Sequence, residues 1–330
     1  MARDATTTGE FTVSRRRVLR DGFSPVAFTS IAVAALVMLG AIVVTGGAVR
    51  LSKSGLGCTD WPNCNGSAFV DLSSTHSAIE QVNRLFTFLV GIAVALAAAA
   101  AWLRRPARRD LRVLGSLVLA GVPAQGIVGA FVVWTDLHPA AVQLHFVLSM
   151  ALVWAAVTLL VRSREVDAPV RALAVSRPAR RGAVAVVTCT GLTVLLGTVV
   201  TGTGPHAGDA AARRLFGTGT AVDEEALRWV SRVHGTSVWL AIAATLWLVR
   251  TARRARDLDR LETPLTAWMI VALVQGAIGY VQYAAGLPEG VVLVHLAGAT
   301  TLVGVTAWLW NATSTPATQA VQSAGGSPQA

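Results

Sequence analysis

The amino-acid sequence predicts an all-α polytopic membrane protein with eight transmembrane helices, arranged as two tandem four-helix bundles. Three observations lead to this fold class. Hydrophobic residues make up 53% of the 330 residues and charged residues only 14%, whereas soluble domains carry about 25% charged residues. Eight apolar runs approach the length of about 20 residues that a bilayer-spanning helix needs. Segments of the first half also recur, in the same order, in the second half.

The eight apolar runs define the predicted spans. They lie at 26–46, 79–102, 111–133, 140–162, 182–202, 228–250, 265–285 and 290–310. Between the last two runs, Pro288 and Gly290 form the only break. The runs divide the chain into five predicted segments: an N-terminal tail at 1–25, an N-terminal four-helix half at 26–165, a linker at 166–181, a C-terminal four-helix half at 182–310 and a disordered polar tail at 311–330.

The basic residues indicate the topology of the chain. The net charge is +10, and most of the 28 Lys and Arg residues lie in the N-terminal tail and in loops at 104–112, 162–181 and 250–260. These places alternate along the chain, so eight spans put them on one side, which the positive-inside rule makes cytoplasmic. We therefore expect a lipid bilayer as the environment, both termini in the cytoplasm and no nucleic-acid partner.

Internal similarity predicts how the two halves are related. Four segments match four later ones: 123–129 with 273–279 and 142–145 with 292–295, both at an offset of 150, 79–84 with 230–235 at 151, and 44–46 with 200–202 at 156. Each half has an even number of spans, so both halves enter the membrane in the same orientation. A pseudo-two-fold axis along the membrane normal should therefore relate them.

Two cysteines, Cys58 and Cys64, lie in a loop that the predicted topology puts outside. That compartment permits disulfides, and Pro62 and Asn63 between the cysteines favour a tight turn. A disulfide is the favoured interpretation, with two unpaired thiols or a metal pair as the alternatives. Cys189 lies within a span, where a small buried apolar residue is the simplest interpretation.

Three histidines occupy matched positions in the spans. His145, His234 and His295 each lie about six residues into a span that enters from the outer face, so all three imidazoles should lie at one depth, about 9 Å below the outer boundary. A single intramembrane histidine is more often a packed, hydrogen-bonded residue, but ionisable groups in a bilayer are candidates for function. Two neutral imidazoles on facing helices can ligate haem iron from both sides. His234 and His295 form that predicted pair, whereas zinc would need more converging ligands.

The first half differs from the second at this site. His145 is kept, but Asn83, a poor iron ligand, stands where the second half has His234, and Glu80 lies one helical turn earlier. Arg84 is four residues after Glu80, so one interpretation is an intrahelical ion pair. The other is an acid group that faces a second, reactive pocket. The asymmetry suggests one half for a cofactor and one for a substrate.

Over roughly residues 26–310 the chain resembles the haem A synthase family. The resemblance rests on the Glu80 helix, on the histidines of the even-numbered spans and on two more specific sequence features. These two features are Thr45-Gly46-Gly47-Ala48-Val49-Arg50-Leu51 with the following Ser54-to-Cys64 segment, and Thr201-Gly202-Thr203-Gly204-Pro205-His206-Ala207-Gly208-Asp209.

The resemblance implies an oxidoreductase that converts a methyl group of haem O, through an alcohol, to the formyl group of haem A, with oxygen from water. It implies haem b as the electron-transfer cofactor, held by His234 and His295. Haem O would bind in the N-terminal half, with His145 as an iron ligand, Asn83 and Arg84 in the binding site and Glu80 as the catalytic residue near the reacting methyl group. It also implies a Cys58–Cys64 disulfide with a role in haem handling.

The implied location is a bacterial-type cell membrane, with a haem O synthase and cytochrome oxidase assembly factors as partners and a homo-oligomer as a further expectation. One departure from the family is that its commonest pattern has histidine in place of Asn83, for which His76 and His138 are candidate substitutes near the same helix ends. An alternative function is the haem b electron-transfer subunit of a quinol-linked complex. A transporter with duplicated halves is less favoured, because its broken helices and charged midplane site have no counterpart in the sequence.

Overall fold

A computed structural model describes residues 22–165, 171–217 and 219–316. Over these residues the chain forms eight helices of 24 to 32 residues, each long and apolar enough to cross a membrane. They are α1 Pro25–Leu51, α2 Thr75–Leu103, α3 Arg109–Trp134, α4 Pro139–Ser163, α5 Arg177–Thr203, α6 Glu224–Ala255, α7 Leu258–Ala284 and α8 Glu289–Ala312. The predicted fold class, an all-α multi-pass membrane protein, is confirmed.

The helices begin before the apolar runs because polar caps set their first residues. Ser24, Ser74, Ser176 and Asp223 each accept a hydrogen bond from a backbone N–H in the first turn of α1, α2, α5 and α6. The apolar run marks the part of a helix that lies in lipid, whereas the cap marks where the helix starts. The longest helix, α6, therefore extends about one turn beyond its predicted span on the side of its N-terminus.

Three predicted segment boundaries differ from the bounds of the helices. The N-terminal tail ends before Pro25, which already belongs to α1, and α5 begins at Arg177, inside the predicted linker. The predicted disordered tail at 311–330 starts too early, because α8 continues to Ala312 and a strand, β2, covers Ser314–Pro316. Residues 1–21, 166–170 and 317–330 of these segments lie outside the described residues.

The break between the last two helices is a four-residue turn. It spans 285–288, and Gly286 takes a φ of +75°, the left-handed conformation that commonly ends a helix. Pro288 is the N-cap of α8. The predicted break is therefore in the right place, although Gly290 lies inside α8 rather than in the turn.

Each half closes into a ring of four helices, in which consecutive helices pack together and the last packs on the first. Between the halves, α4 packs on α8, α1 on α8 and α4 on α5. Exchanging α1 with α5 and α4 with α8 leaves this set of contacts unchanged, as a two-fold axis between parallel halves requires. At the α4–α8 contact the amide of Asn311 donates to the hydroxyl of Thr158 at 3.0 Å.

A two-stranded antiparallel sheet joins the linker to the end of α8. Its strands are β1, Arg171–Leu173, and β2, Ser314–Pro316, with Arg171 opposite Pro316. The Arg171 guanidinium also donates to the backbone oxygen of Ser314 at 3.0 Å. These contacts lie at the end of the bundle where the basic loops gather, away from the three intramembrane histidines.

Candidate haem-binding sites

In the C-terminal half, His234 of α6 faces His295 of α8. Their ring centroids are 6.5 Å apart and the ring planes are almost perpendicular. Two metal–imidazole bonds of about 2 Å, together with about 1 Å from each bonded nitrogen to its ring centre, give a separation of about 6 Å. The pair therefore has the spacing of two imidazoles on opposite sides of one metal ion, which fits the predicted haem iron.

Neighbouring groups orient both rings. Nδ1 of His234 donates to the backbone oxygen of Thr193 at 3.1 Å, which leaves the lone pair on Nε2 for a metal. Gly197 and Gly279 lie against the two rings: a Cβ at these glycines would be 3.1 Å from Cε1 of His234 and 3.5 Å from Cε1 of His295. The absence of side chains at these two glycines lets the helices pack directly on the imidazoles.

The N-terminal half repeats this arrangement with one change. A Cβ at Gly129 would be 3.5 Å from Cε1 of His145, the distance found between Gly279 and His295. A Cβ at Gly46 would be 4.0 Å from Nδ2 of Asn83. Gly46 therefore contacts Asn83 in the same way that Gly197 contacts His234 in the other half. The structure thus brings His145 and Asn83 to the positions that correspond to His295 and His234.

This correspondence corrects one part of the predicted repeat. The contacts pair Gly46 with Gly197, an offset of 151 that agrees with the 151 between Asn83 and His234. The sequence match of 44–46 with 200–202 at an offset of 156 is therefore displaced by five residues along α5. A shared Thr-Gly pair produced that match, whereas the packing of α1 and α5 on the neighbouring helix sets the true register.

Glu80 and Arg84 form the intrahelical ion pair that their spacing allows. Nη2 of Arg84 lies 2.6 Å from Oε1 of Glu80, and Nε donates to the same oxygen at 3.0 Å. Oε2 of Glu80 accepts from the backbone N–H of Cys58 at 2.8 Å. Arg84 also donates to three backbone oxygens in the outer loop, those of Cys58, Asp60 and Asn63. The pair therefore anchors this loop to the first turns of α2.

The anchored loop contains the predicted disulfide, and the structure joins Cys58 to Cys64. Both cysteines are fully buried. The ring of Trp61 makes an edge contact with Trp134 at the end of α3, with centroids 6.2 Å apart. These contacts hold the disulfide loop over the end of the N-terminal bundle at which α2 begins.

A network around Asp71 supports the same loop. Its carboxylate accepts from the side-chain amide of Asn65 at 2.6 Å and from the backbone N–H of Ser73 at 2.8 Å. Hydrogen bonds from Ser73 and Asn65 lower the pKa of Asp71 below its usual range. Asp71 therefore remains ionised at any pH near neutrality.

The remaining histidines have contacts in the outer loops. Nδ1 of His76 lies 2.9 Å from the hydroxyl of Ser54, and Nδ1 of His138 accepts from the backbone N–H of Ala140 as the N-cap of α4. Nε2 of His206 donates to the backbone oxygen of Leu287 at 2.7 Å. All three histidines thus help to hold loops and helix ends in place.

Sequence reasoning missed the contact between the two specific sequence features. Nε of Arg50, at the end of α1, donates to the backbone oxygen of His206, and Nη2 donates to that of Thr201. The backbone N–H of Gly55 also donates to the oxygen of Gly208 at 2.9 Å. The segments 45–55 and 201–209 are therefore the two sides of one contact that joins the halves at the outer surface. The available signal was that both segments carry the resemblance to the haem A synthase family. Nothing in the sequence, however, showed that the two segments contact each other.

Comparison with known proteins gives a family match and several relatives. The family model COX15-CtaA, described as cytochrome oxidase assembly protein, matches residues 29–81 and 71–211. A heme A synthase of Rhizorhabdus wittichii is 27% identical over 325 residues, covering 82% of this chain and 90% of that protein. A heme A synthase of Lysinibacillus sphaericus is 35% identical over 130 residues, and the match spans 39% of this chain and 42% of that enzyme. A protoheme IX farnesyltransferase of Halobacterium salinarum is 34% identical over 104 residues, which cover 32% of this chain and 22% of that protein.

Proposed function

This chain belongs to the cytochrome oxidase assembly protein family, and from that premise we propose that it is a haem A synthase. It would oxidise a methyl group of haem O stepwise to the formyl group of haem A. The observation that carries the haem-binding part of the proposal is the facing pair His234 and His295, whose 6.5 Å ring separation suits two histidine ligands of one haem iron. The relative that matches over 82% of the chain is named heme A synthase, which supports the same assignment.

In this proposal the C-terminal half holds haem b as a resident cofactor. Bound between the two imidazoles, haem b would supply one-electron transfer. His234 is kept in the ligating tautomer by its hydrogen bond to Thr193, and the glycines against the rings keep both imidazoles in place. If both His234 and His295 ligate the iron, the group that they hold would pass electrons rather than bind a reactant.

The N-terminal half would bind haem O, with His145 as the iron ligand. The conversion of a methyl to a formyl group takes up one water molecule and releases four electrons and four protons. These electrons would pass through the C-terminal half to an external electron acceptor. The direct contacts of α1, α4, α5 and α8 between the halves make this short transfer physically reasonable.

Glu80 has two roles in the proposal. Its carboxylate, beside Arg84, would stabilise positive charge that develops at the reacting carbon in a site of low dielectric constant. It also positions the disulfide loop through the N–H of Cys58. Arg84, which the sequence assigned to haem binding, would act through this loop, because its guanidinium already donates to Glu80 and to loop backbone oxygens.

We also propose that the protein lies in a bacterial-type cell membrane with both termini in the cytoplasm and that it assembles as a homo-oligomer. A haem O synthase is the natural supplier of the substrate and cytochrome oxidase assembly factors are the natural recipients of the product. The local similarity to a protoheme IX farnesyltransferase supports a link to haem modification. These points rest on the family and on the distribution of basic residues.

Haem extraction tests the proposed activity. A host that makes haem O but lacks haem A is compared with and without this chain, and with a His295→Ala variant at matched expression. We expect haem A only with the unmodified chain. Bound haem b with unchanged haem O would overturn the enzyme assignment and favour the alternative, an electron-transfer subunit.

A further inference from the structure

The two halves present different groups to a bound haem, and the difference lies at Asn83. By the matched glycine contacts, Asn83 occupies the position of His234. The amide atoms of asparagine end one covalent bond closer to Cβ than Nε2 of histidine, so they fall short by about 1 Å. An iron held by His145 would then be about 3 Å from the amide, beyond the ~2 Å of a metal bond.

The other histidines of this half do not replace the missing ligand. The N-terminal half contains three histidines: His76, His138 and His145. His76 contacts the hydroxyl of Ser54, and His138 caps the first turn of α4. Both side chains are exposed, and His145 is the histidine that matches a ligand of the other half.

The environment of Asn83 also suggests a missing partner. Its Oδ1 is buried and has no hydrogen-bond partner among the described residues, although buried polar atoms in proteins are almost always satisfied. On the His145 side, Nε2 of Gln125 donates to the backbone oxygen of His145 and to the hydroxyl of Ser149, whereas Oε1 of Gln125 and Nδ1 of His145 are buried without a partner among the described residues, like Oδ1 of Asn83. Asn83 thus offers both a donor and an acceptor at the place where the second axial ligand would otherwise lie.

We propose that the N-terminal half holds haem iron through His145 alone, and that Asn83 hydrogen-bonds a small exogenous ligand on the open side. Water or a diatomic gas has the size and polarity for this space. The C-terminal half, with an imidazole on each side, is closed to such ligands. This inference rests on the proposed haem O site and extends it, because it gives one chain an open and a closed haem.

Carbon monoxide binding is the test. The chain is purified from a host that makes haem O, titrated with haem O to saturation, reduced, and exposed to carbon monoxide while the absorption spectrum is recorded. We expect two haems per chain, one of which responds. Asn83→His should lose the response and give a second six-coordinate haem. Asn83→Leu should keep the response, with dissociation about tenfold faster through the loss of one hydrogen bond.

Two further variants assign the signal. His145→Ala should lose the responsive haem, whereas His295→Ala should create a second responsive haem in the other half. The inference is overturned if the two-haem protein ignores carbon monoxide, if no second haem binds, or if Asn83→His responds like the unmodified chain. The haem A content of the same cells reports separately on the proposed function. A carbon monoxide response without haem A would support the open site and reject the enzyme assignment. Haem A without a carbon monoxide response would support the enzyme assignment and reject the open site.

Discussion

Replacing Arg84 by methionine tests how strongly the ion pair of α2 holds the disulfide loop. Methionine keeps most of the length of the side chain but removes the charge and the donors. The change leaves the Glu80 carboxylate without its cation, and the backbone N–H of Cys58 remains as a hydrogen-bond donor to it. The carbonyl oxygens of Asp60 and Asn63 lose their Arg84 donor as well.

The size of the effect follows from burial. Breaking a fully buried ion pair by removing one partner costs about 3–5 kcal/mol. Here the side chains of Arg84 and Glu80 are 19% and 8% exposed, so the lower end, about 3 kcal/mol, is expected. An unfolding entropy of about 2.1 cal/mol/K per residue, applied to 330 residues, converts this loss into a fall in melting temperature of roughly 4–5 °C.

Scanning fluorimetry in detergent micelles measures the melting temperature, and alkylation after timed exposure to a phosphine reductant measures access to the Cys58–Cys64 disulfide. Arg84→Met should melt earlier and be reduced faster. Arg228→Met, at an exposed position near the start of α6, is the matched control and should change neither. The double variant Glu80→Gln with Arg84→Met should lose less stability than the two single variants lose together, because it leaves no unpaired buried charge. A melting temperature within 1 °C of the unmodified chain (roughly the resolution of the method), with unchanged reduction, would refute the reasoning.

Three other outcomes are expected. Gly57→Ala should destabilise the loop strongly, because a Cβ there would clash with the backbone oxygen of His76. Gly40→Ala, where a Cβ would meet nothing within 4 Å, is its control, and equal melting temperatures of the two variants would contradict the clash. Because the pKa of Asp71 is lowered on folding, the stabilisation by its carboxylate should be complete above the unfolded pKa of about 4 and be lost as the pH falls through the folded pKa. Asp71→Asn should therefore reduce the fall in melting temperature at acid pH. An unchanged fall would argue against this role of Asp71. Arg50→Met should loosen the contact between the halves and raise the rate of proteolysis of the loop at 204–223. Arg50→Lys should restore only part of the protection, because lysine cannot donate to both backbone oxygens in the same geometry. Equal digestion of the two variants would count against these hydrogen bonds of Arg50.

The helices were predictable because the bilayer imposes a length that the sequence must satisfy. Every apolar run became one helix, and His234 and His295 could be paired because matched depth in parallel helices brings residues together. Helix ends were less accurate, since Ser24, Ser176 and the other caps lie outside the apolar runs and act through local hydrogen bonds. The sequence also indicated the disulfide, because two cysteines in one short outer loop are already close in space.

The contacts between loops could not be predicted. The spacing of Glu80 and Arg84 indicated their ion pair, but the backbone oxygens that Arg84 reaches depend on the path of the outer loop. The bond from Arg50 to His206 joins residues 156 positions apart, and neither residue type requires the other. The alignment of α1 with α5 failed for a related reason: a short identical pair of residues outweighed the packing geometry, which the sequence does not display.

The exchange symmetry of the contacts between halves has a consequence for how such a protein can diverge. The halves meet as two identical subunits would, each offering the same helices to the other. In an assembly of identical subunits, any substitution appears twice, so a ligand lost from one pocket is lost from both. Joining the copies in one chain removes that constraint. Asn83 can then occupy the position that corresponds to His234, so that the two pockets of a single molecule offer different side chains.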